Sequence, residues 1–287
     1  MLRLHIRRAS ARRRTSSRRA LALAATAALV GSAVGLGVTG AGSAPVAGAS
    51  MRVRAPSCKQ QLVVPAYFYP GPTWTKVLTG QPRDLGLIVN PSNGPGGAPD
   101  PLYTKTVARA RKEHVLLYGY VDTRFTSTPV AAVEAQVNRY LDWYGIRDVF
   151  LDDASSSAAE IGYYRTITAY VRRLSPGAEV MLNPGDYPAP GYAALEDRIV
   201  VFEDTYKPFL RAKPPAWVAH HPSRMFVAIV SGVPASRRAQ VLKLASSRHF
   251  QGVYVTDQSG DPASLYDRLP AYWTSEQLAV TATCRNN

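Results

Sequence analysis

The chain is poor in the residues that hold metals, with 5 histidines and 2 cysteines in 287 positions. None of His5, His114, His220, His221 and His249 has ligand spacing at the end of an apolar run. Two cysteines with no nearby histidine do not make a zinc site. The Asp/His/His set of a metal-dependent deacetylase is therefore missing, and His220-His221, followed by Pro222, reads as loop. No G-x-S-x-G elbow occurs, which argues against a Ser-His-Asp hydrolase. The first strand-like run ends in Tyr69-Pro70-Gly71-Pro72, the wrong chemistry for a phosphate-cradling glycine loop. Beyond residue 19 no Lys/Arg cluster alternates with aromatics as in a nucleic-acid groove. The expectation is a protein with no metal, no cofactor and no nucleic-acid partner.

The formal net charge of +14 does not contradict this. Residues 3–19 hold eight arginines and no acidic residue, so about +6 remains for the rest of the chain, a modest positive field. An apolar, Ala-rich run follows at 20–38, then a small-residue stretch containing Ala47-Gly48-Ala49. Basic, apolar and small-residue regions in that order read as a secretory signal peptide over residues 1–50. Ser17-Arg18-Arg19 gives a weak twin-arginine signal. The same apolar run also fits an uncleaved membrane anchor. The expected product is extracellular and monomeric, touching a membrane only transiently through its leader.

Cys58 and Cys284 lie at opposite ends of what remains. In an exported protein two distant thiols are expected to pair, with two free thiols as the alternative. The stretch between them suits one (β/α)₈ TIM barrel of roughly 200–250 residues. Eight strand candidates fall at 62–69, 85–90, 115–121, 149–152, 180–183, 199–203, 226–230 and 252–256. Most are short, continuous apolar runs, as strands buried on both faces should be. Helical patterns lie between several of them, at 103–114, 130–144, 158–174 and 234–247. Thr128 reads as an N-cap with Pro129 at the first helical position, and Gly145 as a stop. The segments after strands one, five and six are Pro-rich, so short or irregular helices are expected there. A doubly wound open sheet is the alternative architecture.

Several of these runs end in polar or acidic residues: Asn90, Asp152-Asp153, Asn183, Glu203-Asp204 and Thr256-Asp257. In a parallel barrel those ends share one face, where such enzymes build their active sites. Two inward carboxylates on strands four and six would face one pocket, and a carboxylate pair is the usual apparatus for glycosidic cleavage. Neighbouring strand residues point to opposite faces, so if both stay extended only one of Asp152 and Asp153 looks inward. Capping of the following loop is the competing explanation for each acid. Asn90 and Asn183 each precede a proline, which reads equally as turn chemistry or as amides that bind sugar hydroxyls. Asp122 and Asp257 are further candidates for the pocket. Tyrosines outnumber phenylalanines 16 to 7. Tyr67, Tyr69, Tyr118, Tyr120, Tyr187 and Tyr206 fall on or just beyond strand ends, each offering a ring face and a hydroxyl to a sugar.

Val64-Pro65-Ala66-Tyr67-Phe68-Tyr69-Pro70, Val89-Asn90-Pro91-Ser92-Asn93-Gly94-Pro95-Gly96, Gly119-Tyr120-Val121, Phe150-Leu151-Asp152-Asp153, Leu182-Asn183-Pro184-Gly185 and Val200-Val201-Phe202-Glu203 together resemble the spherulation-specific family 4. The resemblance implies a TIM-barrel glycoside hydrolase. Its characterised fungal members cleave α-1,4-linked exopolysaccharide containing N-acetylgalactosamine. By motif, Asp152 and Asp153 match the acidic pair after strand four, and Glu203 the glutamate after strand six. The second acid of that pair is commonly Glu in the family, so Asp153 is one methylene short, which favours Asp152 with Glu203 as the working pair. The implied roles are Glu203 as general acid/base and Asp152 as nucleophile or stabiliser, with Asp153 in support. Tyr67, Asn90, Tyr120, Asn183 and Asp257 are expected to bind the polysaccharide. A non-catalytic carbohydrate-binding or cell-surface protein on a degenerate barrel is the rival reading.

Overall fold

The computed structural model describes residues 58–80, 85–261 and 264–284. The leader expected at residues 1–50, with its small-residue cleavage motif, lies outside them. Eight parallel strands form a closed barrel in sequence order. They are β1 (Gln61–Ala66), β2 (Leu85–Val89), β3 (Leu116–Asp122), β4 (Asp148–Asp152), β5 (Val180–Leu182), β6 (Arg198–Thr205), β7 (Phe226–Ser231) and β8 (Gly252–Val255). The continuous apolar runs are buried on both faces, as in Leu85-Gly86-Leu87-Ile88-Val89, because side chains fill the barrel inside and helices cover it outside. Pairing of Leu62 with Val253 brings β1 back onto β8 and leaves no open edge.

The helices are α1 (Pro72–Leu78), α2 (Pro101–Lys112), α3 (Val130–Arg139), α4 (Ile161–Leu174), α5 (Tyr206–Arg211), α6 (Arg238–Ser247) and α7 (Trp273–Thr281). The Pro-rich segments behave as expected: α1 and α5 are short, and only a 3₁₀ turn, Pro190–Ala194, follows β5. Helix α2 begins two residues earlier than its apolar pattern suggests. Asp100 is its cap, accepting from the backbone N–H groups of Leu102 and Tyr103, with Pro101 first in the helix.

The expected cap of α3 is a correction. Pro129 occupies the N-cap position, and the Thr128 hydroxyl donates instead to the Asp122 carbonyl at 3.0 Å. The side chain ties the loop to the end of β3 and leaves the helix uncapped. The same helix passes into a π turn at Tyr140–Tyr144 before Gly145 stops it in the left-handed conformation at φ 64°. The patterns at 158–174 and 234–247 likewise split, each opening with a 3₁₀ turn, Ala158–Glu160 and Ala235–Arg237.

Cys58 and Cys284 are joined in a disulfide across an isolated antiparallel bridge. The cross-link sits beside the β1/β8 closure and holds α7 against β1. Helix α7 buries Glu276, whose Oε1 accepts from the Val255 backbone N–H at 3.0 Å. At the N-terminal end, buried Arg198 and Tyr118 fill the barrel floor, and Tyr118 donates to Glu179 at 2.7 Å. Side chains therefore pack the floor, while at the C-terminal end Tyr67, Asp152 and Glu203 stay half-buried.

Replacing both cysteines by alanine should lower the unfolding free energy by about 2–4 kcal/mol, read by chemical denaturation. Burial pushes the Glu276 carboxyl up to about 8, against the opposing Val255 N–H bond. A raised carboxyl contributes stability that is fully present below its unfolded value, near 4.5, and is lost as pH rises through about 8. Glu276→Gln keeps an acceptor for Val255 but cannot ionise. It should melt higher than the parent at pH 9, with the advantage shrinking towards pH 5.

Candidate active site

The site forms where β4, β5 and β6 end. Register pairs Asp122 with Asp152 and Leu151 with Leu182, so Asp152 and Asn183 leave adjacent strands at one level. The Asn183 backbone N–H donates to the Leu151 carbonyl at 2.9 Å, extending the ladder by one bond. Strand β6 carries an irregularity between Val200 and Phe202, where one residue more than its partner strand is fitted in. Such bulges re-aim the following side chains. Here the next residue but one is Glu203, whose backbone N–H donates to the Gly185 carbonyl at 3.0 Å.

One carboxamide then joins the two acids. Asn183 Nδ2 donates to Asp152 Oδ1 at 2.7 Å and to Glu203 Oε2 at 2.6 Å. The amide orientation is fixed from the other side, because Asn183 Oδ1 accepts from the Gly185 backbone N–H at 3.1 Å. Tyrosines complete the shell. Tyr120 donates to Asp152, and Tyr266 donates to Glu203 Oε1 at 2.7 Å. The ring of Tyr67 stands edge-on to both, 5.5 Å from Tyr120 and 5.6 Å from Tyr266. Burial, then the nearby carboxylates, hold the Tyr67 and Tyr266 hydroxyls far above their ordinary range, so they remain donors.

Burial pushes the Asp152 carboxyl up to about 7, and the charges of Glu203 and Asp153 push in the same direction. The hydrogen bonds from Tyr120 and Asn183 oppose this. Asp152 therefore holds its proton to near neutrality.

The other sequence candidates are distributed as follows. Asp153 does not stay extended: its φ is 45°, a left-handed conformation that costs a non-glycine residue of order 1 kcal/mol. Its carbonyl accepts from the Phe125 backbone N–H at 2.6 Å and from the Thr123 hydroxyl at 3.0 Å, bonds that hold the turn. Asn90 accepts from the Gly94 backbone N–H at 2.8 Å, which commits its carbonyl oxygen to its own loop. Asp257 is exposed and accepts from the Ala271 backbone N–H at 3.2 Å. Asp122 pairs with Arg124. Of the six strand-end tyrosines, Tyr67 and Tyr120 stand at the carboxylates. Tyr118 is in the floor, Tyr69 donates to Asp100, Tyr187 packs on Trp217, and Tyr206 donates to Gln240. Tyr266 escaped the sequence reading because it follows no strand; it arrives from the segment between β8 and α7. Among the described residues no group of three or more His, Cys, Asp and Glu could hold a metal ion.

A closed parallel barrel with two linked carboxylates and a tyrosine wall at its C-terminal mouth is a TIM barrel of carbohydrate-active type. More narrowly, the chain belongs to the spherulation-specific family 4, whose model matches residues 61–280. Spherulin-4 of Physarum polycephalum is 31% identical over 234 residues, which are 77% of this chain and 70% of the relative. The crystal structure of Aspergillus clavatus Sph3, in complex with GalNAc, matches at 25% identity with a TM-score of 0.69, over 78% of this chain and 98% of that one. The spore cortex-lytic enzyme SleL of Bacillus megaterium shares the fold at 11% identity, with a TM-score of 0.50 over 80% of this chain and 76% of that one.

The raised carboxyl can be observed without any substrate. In a ¹³C NMR titration of aspartate-labelled protein, Asp152 should titrate near pH 7. Glu203→Gln removes one of the charges that raise it, so the midpoint should fall. An Asp152 midpoint near 4 in the parent protein would refute the raised carboxyl.

Proposed function

We propose that this chain is a secreted glycoside hydrolase that cleaves an amino-sugar exopolysaccharide of the α-1,4-linked galactosamine/N-acetylgalactosamine type. The observation that carries the reading is the shared amide. Two oxygens bonded to one nitrogen at 2.7 and 2.6 Å can be no more than about 5.3 Å apart, which is short of the 6.5–9.5 Å of inverting glycosidases and leaves the retaining arrangement. The likeness to Sph3, solved with GalNAc, supports the sugar class. The disulfide fits an oxidising compartment, in line with export by the N-terminal segment. The working form is a monomer that needs no cofactor.

The raised Asp152 carboxyl supports the opposite assignment of roles from the one the resemblance implies. Burial and then two neighbouring carboxylates raise the Asp152 carboxyl, which makes it the general acid. Glu203, held by Tyr266 and Asn183, is the nucleophile. Asp152 gives its proton to the glycosidic oxygen as the leaving group departs, while a Glu203 oxygen bonds to the anomeric carbon. Water then attacks that carbon, gives its proton to Asp152, and releases Glu203 as carboxylate. Asp153 supports the pair through its charge. Tyr67 and Tyr120 offer ring faces to the sugar, while Asn90 and Asp257 lie farther out on the rim.

The test is release of reducing ends from galactosamine-, glucosamine- and neutral-sugar polymers. Release should occur from the galactosamine class and fall as pH rises through about 7, where the acid loses its proton. Glu203→Gln should abolish it. Asp152→Asn should still form the glycosyl-enzyme from a substrate whose leaving group needs no protonation. If Glu203→Gln forms that intermediate and Asp152→Asn does not, the roles are the reverse. Binding of a polymer with no release from any would favour the non-catalytic reading.

A further inference from the structure

Beside the carboxylates the barrel rim holds a feature that the proposed chemistry does not use. Arg124, Phe125 and Thr126 have φ of 46°, 53° and 75°, three successive non-glycine residues in the left-handed region. Each carries a steric cost of roughly 1–2 kcal/mol. The turn is nonetheless fastened. Arg124 N–H donates to Asp122 Oδ1 at 2.8 Å, Phe125 N–H to the Asp153 carbonyl at 2.6 Å, and Thr128 N–H to the Thr123 carbonyl at 3.1 Å. The outcome of this strained fastening is an aromatic side chain in water: Phe125 is 54% exposed. Strain that persists at a rim and displays a ring calls for a ligand-facing role.

Next to the turn is a cleft of about 220 Å³ lined by Asn93, Asp122, Arg124, Ser127, Thr128 and Gln136. That is below the range of about 300–1,000 Å³ for drug-sized ligands and on the scale of a single sugar ring. Its wall is drawn in by Gly94, where a Cβ would meet Gln136 Oε1 at 2.7 Å. Two carboxamides and two hydroxyls supply both donors and acceptors, and the acidic and basic members pair with each other, Arg124 Nε to Asp122 Oδ2 at 3.5 Å. Such a lining suits a neutral, hydroxyl-rich or N-acetylated unit. The cleft also adjoins the strand that carries Asp152, through Asp122 in its lining. Asp122 is level with Asp152 on the adjoining strand, one strand spacing of about 4.8 Å away.

We propose that this cleft, beside the turn that exposes Phe125, is a separate saccharide subsite that holds one neutral or N-acetylated hexosamine unit of a polymer whose neighbouring units occupy the Asp152/Glu203 pocket. The inference rests on the glycosidase reading for its polymer and gives the protein a preference for longer chains.

The experiment uses α-1,4-linked N-acetylgalactosamine oligosaccharides of two to eight units, with Phe125→Ala, Gln136→Ala and Phe125→Trp compared with the parent at matched melting temperature. Phe125→Ala should lower kcat/KM about threefold to tenfold on the longest oligosaccharides, through KM, and by less on the disaccharide. Phe125→Trp, which keeps a ring, should restore the length preference. Gln136→Ala should reproduce the trend without touching the strained turn. A loss equal at all lengths, or no loss at any, overturns the subsite while leaving the hydrolase reading intact. If the parent hydrolyses none of the oligosaccharides, the hydrolase reading fails, and calorimetric binding decides the subsite. An octasaccharide held more weakly by Phe125→Ala than by the parent sustains it; equal affinity, or no binding by the parent, overturns it.

Discussion

Closure is the constraint on which everything else depends. A parallel sheet of eight strands leaves two edges of unpaired backbone unless the last strand returns to the first, and here β8 pairs with β1. Once closed, all strands run one way and their C-terminal ends share a rim. Residues far apart in the chain are then level neighbours: Asp122 with Asp152, and Asn183 one strand farther on. The Cys58–Cys284 bridge reinforces the same closure from outside the ladder.

Convergence at the rim has an electrostatic cost. Burial, and then the charges of Glu203 and Asp153, push the Asp152 carboxyl up. The surrounding tyrosines answer part of it by donating to the acids from hydroxyls that burial keeps protonated. The raised Asp152 carboxyl and the pocket wall therefore have one origin: the tyrosines that line the site also take Asp152 out of water. Backbone strain is concentrated at the same place, at Asp153 and the turn 124–126, and the Phe125–Asp153 backbone bond links the two.

Much of the fold was legible because burial on both faces forces apolar continuity. The eight strands lie within a few residues of the runs that suggest them, and the Pro-rich intervals are where helices are short or missing. The failures are local. Thr128 reads as a cap by its position before Pro129 and Val130, yet its hydroxyl meets the β3 carbonyl that the loop brings nearer. Asp257 ends a strand like Asp152, but its loop folds back and gives it the Ala271 N–H. Asn90 keeps its own turn in shape. Tyr266 had no strand-end signal at all, since it enters the site from a connecting segment.

The sequence by itself determined the eight apolar strand runs and that Asp152, Asn183 and Glu203 stand at their ends, because strand period and apolar run length are properties of neighbours along the chain; barrel closure and the cysteine pairing needed the structure. The tertiary structure decided which strand-end residues meet, which oxygens share the Asn183 amide, that the Asp152 carboxyl is raised and that Tyr266 completes the shell. Those depend on register, on the bulge in β6 and on burial, which arise only when distant segments are brought together.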